Sequence, residues 1–138
     1  MRALLLAVTV ASIAACGAVH AAGRVPITGI YSDMRYIPDA GDVLGTEIKI
    51  ARVQGRYVAT VQIAEGSPDD PVTGVPVDVT DDRVSFTTKE EGYTIQYTGR
   101  ITQTGFVGTQ AVTTPAQTVT HPMSLPRKAH SFFKRASN

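Results

Sequence analysis

The residues of this chain best suited to chemistry are its paired carboxylates. Asp69 and Asp70 are adjacent, as are Asp81 and Asp82, while Asp39 and Asp42 lie three apart. Converging loops could offer such oxygens to calcium, which takes six to eight of them, or set two carboxyls across a glycosidic bond. None of the three groups follows the alternating acidic spacing of a calcium loop. Each sits in a turn-like stretch, where Asp is favoured for its local backbone hydrogen bonds. His121 and His130 are the histidines left after the first 22 residues; with no thiol near them they make a poor tetrahedral zinc set and are read as surface or structural residues. No Gly-x-Ser-x-Gly, His-Glu-x-x-His or P-loop occurs, which lowers the expectation of hydrolase, zinc-peptidase or nucleotide chemistry. No catalytic residue, metal or cofactor is expected. The other side chains with functional reach are tyrosines. Packing against cross-strand neighbours is the ordinary use of such rings, but in a barrel Tyr31, Tyr57, Tyr93 and Tyr97 would line an apolar pocket with a few hydroxyls, as small-ligand sites are built.

The elements that must carry these residues are strands. Residues 23–138 hold 13 Val, 8 Ile and 16 Thr against two leucines, and stiff β-branched side chains suit a pleated sheet better than a helix. Alternation is cleanest in Tyr93, Ile95, Tyr97, Gly99 and Ile101, with Thr94, Gln96, Thr98 and Arg100 on the other face. Tyr57, Ala59, Val61 and Ile63 repeat the pattern, as do Leu44, Thr46, Ile48 and Ile50 against Glu47 and Lys49. Strands are expected near 29–36, 43–53, 56–64, 72–79, 83–88, 93–101, 105–112 and 118–126, separated by short turns that make neighbours pair antiparallel. The fold class read from this is all-β, a small up-and-down meander closing into an eight-stranded barrel, which removes the exposed edges of an open sheet. An immunoglobulin-like β-sandwich is the alternative, but its Cys, Trp and Cys spacing is missing.

Two stretches carry a family resemblance. Gly29-Ile-Tyr31 resembles the first-strand Gly-x-Trp or Gly-x-Tyr signature of calycins, the lipocalin-like and avidin-like barrels, and Tyr97-Thr-Gly99-Arg-Ile101 followed by Gly105-Phe-Val-Gly108 is similar to their paired late strands with glycine at the bends. The resemblance implies a calycin-like barrel with an internal ligand site. The chain has no tryptophan, so the Trp-lined biotin site of avidins is not implied.

Residues 1–22 read as a leader. Arg2 supplies a positive charge ahead of the uncharged run Ala3 to Ala15, the layout of a secretory signal and too short for the roughly 20 residues of a membrane helix. Ile13-Ala14-Ala15-Cys16 resembles the lipobox of bacterial lipoproteins, which implies cleavage before Cys16 and lipid attachment to its sulfur, with Gly17 pointing to the outer membrane. Cleavage after Ala21 in Val19-His20-Ala21 is the other reading and discards Cys16, leaving a soluble periplasmic or secreted protein. No cysteine follows position 16, so the body, a single barrel domain at 23–128, must hold without a disulfide.

Charge is divided along the chain. All twelve carboxylates lie between Asp33 and Glu91, and Arg127, Lys128, Lys134 and Arg135 flank Phe132-Phe133 near the C-terminus. Closure of a barrel would bring the two halves together and neutralise them. Otherwise the segment 129–138 is a basic aromatic tail for an anionic lipid surface or envelope polymer, or Phe132 and Phe133 form a ninth strand or a plug. Nucleic acid is not an expected partner, because the body has no basic face interleaved with stacking aromatics. The expected function is that of an exported, non-catalytic envelope protein binding a protein or polymer partner; a carrier of a small apolar ligand comes second and an enzyme third. The lipobox reading predicts a mature chain that begins at an acylated Cys16. Mass spectrometry of the N-terminus checks this, and an unmodified chain starting at Ala22 removes the anchor.

Overall fold

A computed structural model describes residues 23–133; Cys16 and the leader, with Lys134 and Arg135 of the tail, lie outside them. Ten strands form one antiparallel sheet: β1 (Gly29–Ser32), β2 (Arg35–Ile37), β3 (Asp42–Val53), β4 (Arg56–Gly66), β5 (Val72–Pro76), β6 (Asp78–Thr80), β7 (Arg83–Glu90), β8 (Tyr93–Ile101), β9 (Gly105–Thr113) and β10 (Thr118–Lys128). Their order is β5-β4-β3-β1-β10-β9-β8-β7-β6, with β2 also on β3. The two ends of that path are successive pieces of one segment. β5 pairs with β4 and β6 with β7, so residues 72–80 change partner at Val77 and bring the sheet nearly closed into an up-and-down barrel.

Ten strands stand where eight are expected because two segments are interrupted, each for a local reason. In 72–80 the break follows Pro76, which has no N–H to give to the ladder; Val77 N–H still bonds the Tyr57 carbonyl at 3.0 Å before the chain leaves β4. In 29–37 the register against β3 runs on unchanged from Ser32↔Glu47 to Arg35↔Leu44. Between those pairs the Asp33 side chain substitutes for a backbone acceptor: the Thr46 N–H donates to Asp33 Oδ1 at 2.7 Å. Next to Thr46, Gly45 has φ +123°, and a Cβ there would lie 2.7 Å from the same oxygen, so glycine is required.

Alternation places Tyr31, Ile48, Ile50, Ala59, Val61, Val84, Phe86, Ile95, Tyr97, Ile101, Phe106 and Leu125 in one buried core. β8 and β9 can press together because Gly99 faces Gly108; a Cβ on Gly108 would stand 2.1 Å from the Thr98 carbonyl oxygen. Glu47 departs from its expected exposed position. It does face outward, opposite Ser32, yet both are buried because the chain beyond β10 folds back over them. The Ser131 hydroxyl and the Phe132 N–H donate to the two Glu47 carboxylate oxygens. Phe132 and Phe133 pack edge to face, centroids 5.3 Å apart, and form neither a ninth strand nor a plug.

The seam between first and last strands is short, with Ile30↔Lys128 and Tyr31↔Arg127 as its register pairs. Arg127 reinforces it. Its guanidinium lies 4.9 Å from the centroid of the Tyr31 ring and donates to the carbonyls of Thr28 at 3.1 Å and Pro26 at 2.8 Å, while the Tyr31 hydroxyl donates to the Ile27 carbonyl at 2.7 Å. Charged donors and a cation over an aromatic face each contribute more than neutral contacts. Arg127→Ala should therefore lower stability by about 2 to 4 kcal/mol, read as a reduced urea midpoint at unchanged slope. Arg127→Lys should restore less than half of that loss, because an ammonium cannot fork to two carbonyls and stack at once.

Candidate functional site

The two ends of the barrel differ. At one, residues 24–27 run beneath the sheet and Val25 and Ile27 pack onto the core. The shallow cleft left there, about 710 Å³, mixes Arg24, Arg52 and Arg56 with Asp78 and Asp81, so its charges largely offset one another. Arg24 and Asp81 approach to 3.6 Å at a fully hydrated surface, where such a pair contributes little.

The other end is open. A cleft of about 560 Å³ runs across the mouth between β3–β4 and β8–β9, floored by Ile63, Ile95 and Val112 and edged by Glu65, Asp69 and Tyr93. A second cleft of about 360 Å³ shares Ile63, Asp69 and Tyr93 and adds Thr88, Asp70, Glu90 and Glu91. Five carboxylates line the two clefts, and among the described residues no Lys, Arg or His does. The loop that carries Asp69 is held in place, since the Asp69 N–H donates to the Ile63 carbonyl and Gln62 Nε2 donates to the Asp69 carbonyl, both at 2.9 Å. The Tyr93 phenol is pushed up first by its partial burial and then by the negative charges of Glu90, Asp69 and Glu65. Burial is the larger cause, and the three carboxylates add to it in the same direction.

Beneath this mouth lies Tyr97. Its ring stacks on Phe86 with centroids 4.9 Å apart, and it is 0% exposed. Its hydroxyl has no hydrogen-bond partner among the described residues. Thr88 lies near enough to offset part of the rise in the phenol's pKa without meeting hydrogen-bond geometry, and burial still pushes Tyr97 up to about 12.

The four tyrosines expected to line one pocket are divided between the ends. Tyr31 is locked at the closed end by Arg127 and Ile27, where burial raises its phenol and Arg127 draws part of that back. Tyr57 is half-buried in the cleft of the closed end, with the Arg52 guanidinium 5.6 Å from its ring centroid. Only Tyr93 and Tyr97 belong to the open end. Of the basic quartet, Arg127 is engaged by the seam, Lys128 is exposed on β10, and Lys134 and Arg135 fall outside the described residues. The carboxylate pairs separate too. Asp69-Asp70 reach the mouth, whereas Asp82 at the closed end accepts from Arg100 at 2.6 and 3.1 Å, and that hydrogen bond holds its carboxyl below the usual range. Asp39 stays in the β2–β3 connection and Asp42 opens β3, paired with Ile37. His121 and His130 are exposed and do not line the mouth. Among the described residues no three His, Cys, Asp or Glu side chains are set to hold a metal ion.

Glu65, Glu90 and Glu91 were not singled out by sequence reasoning, although the signal was there: in a meander alternate turns fall at the same end, and 65–71 and 89–92 are alternate turns. Comparison of the chain with models of known protein families, with curated proteins and with solved structures finds no match.

A phenol that ionises near 10.0 when unfolded and at about 12 in the fold contributes stability that is complete below pH 10 and is lost as pH rises to 12, on the order of 3 kcal/mol in all. Urea midpoints should therefore fall across that window, and Tyr97→Phe should flatten the fall. At neutral pH the same substitution removes an unpartnered hydroxyl, so the variant should be as stable as the parent or about 1 kcal/mol more so.

Proposed function

We propose that this is an exported, non-catalytic binding protein of the cell envelope that engages its partner at the acidic mouth of the barrel. The observation that carries the reading is the one-sidedness of the lining: among the described residues, five carboxylates and no base around an apolar floor, at the end left open by the fold. Uncompensated like charges repel one another and weaken the folded state, so such a cluster fits a surface that meets positive charge. The leader supports the location. If Cys16 is acylated, the barrel hangs from a membrane by a tether of about a dozen residues; if cleavage follows Ala21, the same mouth works in solution.

A basic tail engaging an anionic surface is less well supported, because Arg127 is drawn into the seam. An enclosed apolar cargo also fits less well, since the interior is filled by Tyr31, Phe86, Tyr97, Phe106 and Leu125. Binding to an envelope fraction should drop by about tenfold or more when Glu65→Gln, Asp69→Asn and Glu90→Gln are combined, as each lost contact between opposite charges is worth up to about 1 kcal/mol at an exposed site. The thermal midpoint should move by only a few degrees, because these side chains lie outside the core. Undiminished binding by the triple variant would overturn the reading.

A further inference from the structure

Resting on the mouth as the binding site, we propose that its occupant is a small amphipathic amine, with a protonated nitrogen against Glu65, Asp69 and Glu90 and an apolar body on Ile63, Ile95 and Val112. Three independent features select this class. Charge comes first: a cation is the group whose arrival relieves the repulsion among the carboxylates, and water is partly excluded over an apolar floor, so the attraction is stronger there than at an open surface. Size is the second. The larger cleft, about 560 Å³, lies within the roughly 300–1,000 Å³ of small-molecule sites and is concave, whereas a protein partner reads a broader and flatter patch. The third is Tyr97. Its hydroxyl, fully buried and unpartnered among the described residues, lies beside Thr88, which lines the smaller cleft. An oxygen acceptor on the ligand would reach it through Thr88 or a water rather than by direct contact, since Tyr97 lines neither cleft. The Asp69 loop is already braced by Gln62 and Ile63, so little ordering is left for binding to cost.

Matched probes separate charge from apolar fit: 2-phenylethylamine, 2-phenylethanol and 3-phenylpropanoate share a ring and chain but carry a cation, no charge and an anion at neutral pH. On the mature protein, NMR titration should shift the methyls of Ile63, Ile95 and Val112 with the amine. The alcohol should bind about tenfold more weakly and the acid should not saturate. Glu65→Gln, Asp69→Asn and Glu90→Gln together should reduce the amine's advantage over the alcohol to about twofold or less. The bound amine should also lower the pH at which Tyr93 ionises; unfolding would lower it too, so the shift counts only where the core methyl signals keep their folded dispersion. Equal binding of amine and alcohol, preference for the acid, shifts that map elsewhere, or no saturable binding of any probe would each overturn the assignment. In the last case, an envelope partner still sensitive to the three carboxylates would leave the mouth as the binding site while removing the small amine. Amine binding combined with a partner indifferent to those carboxylates would do the reverse.

Discussion

The structure depends on one seam. A meander makes its hairpins locally, each closed by a few residues, but its first and last strands are joined by no turn and meet only after nearly the whole chain is ordered. Here β1 and β10 share two register pairs where β3 and β4 share eleven, too few to hold a closing edge by ladder hydrogen bonds alone. Arg127 compensates from 101 residues away, tying its guanidinium to the Pro26 carbonyl. Tyr31 then joins the ring beneath that guanidinium to the chain entering β1. The same contacts anchor residues 24–27, so closing the seam also closes that end of the barrel. The chain after β10 crosses outside the seam and returns to β3 through Glu47, a second tie across the same gap.

Side-chain size along the barrel axis decides where space remains. Tyr31, Phe106, Leu125 and Ile101 crowd the closed half, and Phe86 stacked on Tyr97 fills the middle. Gly99 and Gly108 let the strands there approach closely enough to leave no gap. Toward the mouth the inward positions are Ile63, Ile95, Val112 and Thr46, smaller groups in a ring of about the same circumference, so the barrel opens. A packed base and an open mouth follow from one sheet with unequal filling, without a hinge or an added domain.

Charge follows the parity of the turns. Successive connections of a meander alternate between ends, which gathers Glu65, Asp69, Asp70, Glu90 and Glu91 at the mouth and leaves Asp78, Asp81 and Asp82 at the other end among Arg24, Arg52, Arg56 and Arg100. Barrel closure mixes acidic and basic stretches most fully at the closed end, where Arg24, Arg52, Arg56 and Arg100 lie; Arg35 and Lys89 sit toward the mouth but line neither of its clefts. At the mouth the segregation survives folding and becomes a local field.

Much of this was legible in the residues themselves. β-branched alternation and regular punctuation determined the class, the strand positions and the up-and-down order, because period-two patterning and short turns are local properties that act within a few residues. The tertiary structure alone decided which tyrosines share a cavity, since Tyr31 and Tyr97 are both inward-facing but lie toward opposite ends. It also decided that Glu47 is buried and that Arg127 is a clamp rather than a free cation. Those outcomes rest on contacts between residues about 85 to 100 positions apart, formed when the ends of the chain meet, and no local pattern encodes which distant carbonyl or carboxylate a side chain will find.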